Sequence, residues 1–166
     1  MTSYFIDYKM ETVLKLVAGA NRHLHTADHL TYVTYPLLKD VKLIFAVIEN
    51  LHTAYVSAMD AFLTYERLYK RIMTVPDDYK SRLDIFKTKI VKRYNIDREH
   101  ILIMEDLAQI IAYRHKSPVE FVKNDKLVIC SDTYKMKNVT YDNVKEYLNK
   151  SKPFFSRMNR VLEKKW

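Results

Sequence analysis

The chain has 166 residues, 48% of them hydrophobic, and 28 Lys and Arg set against 20 Asp and Glu give a formal charge of +8. That length closes one ordinary core without a metal or disulfide staple and is short for two, so a single domain over residues 1–166 is expected. The lone glycine, Gly19, excludes a phosphate-cradling glycine loop, and with it P-loop and dinucleotide-binding chemistry; the lone cysteine, Cys130, excludes an internal disulfide.

The first helix is expected to start at a Ser3 cap, with Ile6, Met10, Val13, Val17, Ala20, Leu24 and Ala27 following at alternating steps of four and three. Such a seam faces one partner helix. Pro36 disfavours helical geometry in the residue before it, so the spacing places the helix end near Tyr35-Pro36. Asp40 then reads as a cap for a second helix, in which Val41, Ile44, Ile48, Leu51, Tyr55, Ala58, Phe62, Tyr65, Tyr69 and Ile72 keep the period up to Pro76. Together they form a long antiparallel hairpin. A further apolar flank, Leu16, His23 and Leu30 with Val47, Ala54, Ala61 and Leu68, has to be covered by the helices that follow.

Pro76-Asp77-Asp78 opens a third helix carrying Tyr79, Leu83, Phe86 and Ile90 and ending near Asn95, and Asp97 caps a fourth with Ile101, Met104, Leu107 or Ala108, and Ile111 facing in. After Pro118 the period becomes strand-like in VEFV and KLVICS, around Lys123-Asn124-Asp125, so a small β-hairpin or irregular insertion precedes a last, Thr140-capped helix over 141–164, bent at Pro153. The expected class is all-α: an antiparallel up-down bundle built on a two-helix hairpin.

No window approaches the roughly 18 apolar residues of a membrane span, and Asp7 and Glu11 fall where a signal peptide would be apolar. A soluble, cytoplasmic protein without membrane association is expected. The positive charge points to RNA or another polyanion as partner.

Among candidate chemistries, His25 and His29 stand at i,i+4, the spacing at which two imidazoles share a metal on one helical face, with Asp28 beside them and no third ligand in view. A metal-binding bundle is therefore one reading, although solvated histidines fit the face they occupy and no cofactor is expected. His23 and His52 read as partly buried, hydrogen-bonded histidines, and Cys130 as a packing residue in an apolar run. The 13 tyrosines serve mostly the seam, while Lys70-Arg71, Lys87-Lys89-Lys92-Arg93 and Lys164-Lys165 are exposed charge clusters. Arg114 and His115, at the end of the fourth helix, combine a phosphate-holding and a proton-moving group.

Arg114-His115, the irregular stretch that runs on to Asp132, and TYDNVKEYLNKSKPFF from Thr140 follow an order of elements that resembles the HEPN superfamily of small helical bundles. The resemblance implies a homodimer that brings two Arg/His motifs together, and either a metal-independent ribonuclease of toxin–antitoxin or defence type, or a partner that binds RNA or protein. In the superfamily motif the His follows the Arg after a gap of several residues, whereas His115 follows Arg114 directly; Arg93…His100 and Arg22…His29 have a formal gap but sit on other elements. The expectation is thus binding of RNA or a protein partner without catalysis.

Overall fold

The computed structural model describes residues 2–117, 119–131, 133 and 135–163; Pro118, Asp132, Lys164 and Lys165 lie outside the described residues, as do the side chains of Ser3 and Ile6. α1 (Thr2–His29) passes through a π-helical turn (Leu30–Thr34) into a last turn, α2 (Tyr35–Leu38). There follow α3 (Lys42–Leu68), α4 (Tyr79–Ile85), a second π turn (Phe86–Ile90), α5 (Val91–Tyr94) and α6 (Arg98–Lys116). Strands β1 (Val119–Lys123), β2 (Lys126–Cys130) and β3 (Met136–Val139) then lead into α7 (Tyr141–Leu162).

The α1–α3 hairpin carries the seam read from the sequence: Val13, Val17, Ala20 and Ala27 pack against Val41, Ile44, Ile48, Leu51, Tyr55, Ala58, Phe62 and Tyr65, all buried. α3 goes further and buries a second side, Phe45, Met59, Leu63 and Glu66, because it also packs against α4, the second π turn, α6, α7 and β2. It is the central helix. The apolar flank of the hairpin is covered by α7, which packs on both α1 and α3, as well as by the middle helices.

Two helix ends differ from the sequence reading. The first helix starts already at Thr2 and does not stop at Tyr35-Pro36: the π turn widens it, Tyr35 N–H bonds to Leu30 O, and the helix runs to Leu38. A proline donates no N–H, so the Thr31 carbonyl, five residues before Pro36, needs another donor. The Tyr141 hydroxyl supplies it at 2.7 Å, while its ring stacks on Tyr35 at 4.1 Å between centroids. The second helix stops at Leu68, well short of Pro76, in a left-handed turn at Lys70 (φ 56°) where Arg71 N–H reaches Glu66 O and Lys70 N–H reaches Arg67 O. Tyr69 is consequently exposed and Ile72 lies beyond the helix.

The remaining starts follow their caps. Asp40 accepts from Lys42 N–H, Asp78 from Ser81 N–H, and Asp97 from Glu99 N–H, each close to 2.9 Å. Thr140 and Asn143 form a reciprocal capping box at the head of α7. On α6 Ile103 and Ile110 join Ile101, Met104 and Leu107 in the core, whereas Ala108 and Ile111 are only half-buried.

The expected β-hairpin exists, with Asn124 (φ 51°) and Asp125 (φ 58°) both left-handed, as a two-residue type I′ turn requires. The helical bundle with an insertion before its last helix stands, and the insertion is larger than a hairpin. β3 pairs antiparallel with β2, giving an antiparallel sheet in the order β1-β2-β3. One face buries Leu127, Ile129 and Val139, and from that face Glu120 and Lys137 reach Arg114 and Gln109 of α6. The sheet therefore closes the end of the bundle formed by the α6 C-terminus and the α3 N-terminus. Among the described residues, no helix is long and apolar enough to cross a membrane.

Candidate nucleic-acid interface

Neighbouring residues on a helix point about 100° apart, and Arg114 and His115 go separate ways. Arg114 Nε donates to Glu120 Oε2 at 2.6 Å and its Nη2 to Oε1 at 3.3 Å, and its guanidinium lies 3.6 Å over the Phe45 ring. The guanidinium is thus engaged on an edge and on a face. His115 is exposed. Arg114 works as the bolt between α6, β1 and α3, and no contact joins it to His115 among the described residues.

His25 and His29 are likewise exposed, with His29 Nδ1 3.3 Å from Thr34 Oγ1. Among the described residues no three His, Cys, Asp or Glu side chains gather in a way that holds a metal ion. His23 is half-buried, but its Nδ1 meets Asn50 Oδ1 of α3 at 3.0 Å rather than a group on a later helix. Cys130 is half-buried, its Sγ 3.6 Å from Ser131 O.

What the fold does assemble is a basic end opposite the sheet. Glu66, in the last turn of α3 and 1% exposed, accepts from Arg71 Nη1 at 2.9 Å and from the Tyr94 hydroxyl at 2.5 Å, and pairs with Arg93 Nε at 3.0 Å. Arg157 of α7 donates to the Tyr94 carbonyl at 2.6 Å. Lys70 and Lys92, each next in sequence to one of the arginines, are exposed beside them. Two guanidiniums thus pair with one buried carboxylate, Arg157 holds the Tyr94 carbonyl, and two exposed lysines adjoin the paired arginines in sequence.

The local backbone explains why. The left-handed turns at Lys70 and Asn95 end α3 and α5 at the same end of the molecule, and the buried carboxylate fastens the two ends together. Tyr94 is shifted upward, mainly by burial and then by its bond to Glu66. Arg71 is shifted upward mainly by the same carboxylate. On the outer side Tyr69 is 39% exposed, with the Arg71 guanidinium 5.1 Å from its ring, and Met73 is 92% exposed. Aromatic and guanidinium planes beside flexible lysines are the elements on which single-stranded nucleic acid stacks and neutralises its phosphates.

Sequence reasoning found Lys70-Arg71 and Lys87-Lys89-Lys92-Arg93 as separate clusters but missed Glu66. The available signal was an acid inside the apolar run Phe62, Leu63, Tyr65, which a solvated glutamate rarely enters.

Two histidines are held below their ordinary 6.5 by burial. The first is His100, whose Nδ1 stands 3.3 Å from the Tyr55 hydroxyl; that hydroxyl donates to Ser151 Oγ at 2.8 Å, and Ser151 donates to Tyr147 O at 2.6 Å. Because Tyr55 has one proton and gives it to Ser151, His100 Nδ1–H is the donor to Tyr55. The second is His52, packed near the Tyr79 ring at 5.7 Å with Nε2 buried and without a hydrogen-bond partner among the described residues. A base depressed in the folded state is protonated more readily when unfolded, so stability falls as pH drops below 6.5 and levels off beneath the folded values. Thermal midpoints measured between pH 7.5 and about 5 should decline, and more shallowly in His100→Gln. Equal slopes for parent and variant would refute the assignment to His100.

No family model, curated protein or solved structure matches the chain.

Proposed function

We propose that this chain is a HEPN-like helical bundle that binds single-stranded RNA at its basic end and does not cut it. The observation that carries the reading is the pairing of Arg71 and Arg93 with buried Glu66, with exposed Lys70 and Lys92 next to them in sequence, Arg157 on the Tyr94 carbonyl, and exposed Tyr69 beneath Arg71. Glu66 holds two guanidiniums in place and leaves their remaining N–H groups for phosphate, which lowers the ordering cost of binding. Absence of cutting is supported by Arg114, whose guanidinium is tied to Glu120 and Phe45 and not to His115.

The test is fluorescence anisotropy on a labelled single-stranded RNA of mixed sequence across a salt series, with the RNA run on a gel afterwards. Affinity should fall steeply with salt, and Lys70→Glu with Lys92→Glu should weaken it about tenfold or more and flatten the salt slope by roughly 1.4. Binding indifferent to salt or to the double variant would sink the interface. RNA cleavage that vanishes in His115→Ala would instead favour the ribonuclease reading.

A further inference from the structure

At the other end of the bundle, a cleft of about 270 Å³ opens between the last turns of α6 and the connection from β2 to β3. From α6 it is lined by Gln109, Tyr113 and Lys116, and from the connection by Ser131, Thr133 and Lys135. The connection is braced from within: Ser131 N–H bonds to Lys135 O at 2.9 Å, Lys135 N–H to Ser131 Oγ at 3.1 Å, and the Ser131 and Thr133 hydroxyls meet at 3.0 Å. Ser131 is 8% exposed. Ser131 thus ties Thr133 and Lys135 to one side of the cleft.

Its charge is one-sided. Lys116 and Lys135 are exposed, make no ion pair among the described residues, and face a cleft with no acidic side chain among those residues. By contrast Lys87, Lys145, Lys150 and Lys152 each sit on a carboxylate. Lys137 is likewise engaged: it donates to Gln109 Oε1 at 3.0 Å and stands 6.0 Å over the Tyr113 ring, which fixes the amide so that its nitrogen remains a donor. Tyr113 is half-buried and offers an aromatic wall. The last turn of a helix repels anions through its dipole, and Lys116 in that turn, two residues after Arg114, offsets the effect.

We propose that this cleft binds a small phosphate monoester, its dianion taken by Lys116, Lys135 and the Thr133 hydroxyl, and its organic part resting on Tyr113. Two ammonium groups that make no ion pair among the described residues match a double charge better than a single one, and the volume suits a compound of one ring and one phosphate, close to the lower bound for small-ligand clefts. The cleft lies at the opposite end from Glu66, so it stands independently of the RNA interface.

The experiment is titration of the full chain with phenyl phosphate, phenyl sulfate and phenol, followed by calorimetry and by the shift in thermal midpoint. Phenyl phosphate should bind at least about tenfold tighter than the singly charged sulfate, with phenol weaker still. Lys116→Ala with Lys135→Ala should abolish the preference for phosphate while circular dichroism stays that of the parent, since both lysines are exposed. Lys70→Glu with Lys92→Glu should leave it intact. Equal binding of phosphate and sulfate, or a preference that survives the Lys116 and Lys135 changes, overturns the proposal. Asp132 lies in the same connection by sequence. The same titration with Asp132→Asn separates an acid that weakens the site from a cleft that takes no phosphate: binding absent in both parent and this variant also overturns it.

Discussion

Phe154→Ala should lower stability by about 3–5 kcal/mol, the usual cost of emptying a buried aromatic site. The ring is 2% exposed and lies between 5.0 and 6.4 Å from the rings of Tyr55, Phe62, Phe86, His100 and Phe155. Those neighbours come from α3, the second π turn, α6 and α7, so no single helix can move in to fill the void. For a chain of this size a loss of that order lowers the thermal midpoint by roughly 6–20 °C. Scanning calorimetry or a urea titration would measure it, with Leu102→Ala, at a 51% exposed position, as the control that should barely move. A Phe154→Ala midpoint equal to that of the control would mean that the aromatic cluster does not hold the four elements together.

Glu66→Ala should cost about 2–3 kcal/mol, less than the roughly 3–5 that follows from breaking a fully buried ion pair. The discount has a structural reason. The Arg71 and Arg93 side chains are 39% and 47% exposed and can turn to water once the carboxylate is gone, whereas the half-buried Tyr94 hydroxyl loses the acceptor it has among the described residues. The expected fall in midpoint is roughly 4–12 °C. Glu66→Gln keeps the shape and an acceptor oxygen and should lose less. An Ala variant as stable as the Gln variant would show that packing, and not the arginine and tyrosine contacts, accounts for the buried position.

Much of this architecture was legible in the order of residues. The three-four spacing from Val13 to Ala27 and from Val41 to Tyr65 marks the hairpin seam, because only a continuous helix keeps those positions on one side. Asp78, Asp97 and Thr140 mark helix starts, since a short polar side chain there satisfies a backbone N–H that nothing else reaches. Asn124-Asp125 marks the hairpin turn.

Helix ends were less legible. A left-handed residue stops a helix and is usually glycine, but here Lys39, Lys70 and Asn95 take that conformation in a chain with one glycine. The prolines looked like the stops instead. Pro36 does not end its helix because the Tyr141 hydroxyl, 110 residues away, serves the carbonyl at Thr31. β3 was missed for a related reason: Met136–Val139 has too little strand character of its own and is held by pairing with β2.

The same division applies to the candidate sites. Arg114 beside His115 suggests chemistry on paper, and six residues later Glu120, brought back by β1, takes up the guanidinium. Lys70-Arg71 and Lys92-Arg93 look like separate solvated charges until Glu66 is placed between them. By itself the sequence determined the helical hairpin, the capped starts and the excess of positive charge, all of which depend on local spacing and composition. Only the tertiary structure decided which cations share a surface, which are already engaged and where α3 stops, because those outcomes depend on contacts between residues far apart in the chain.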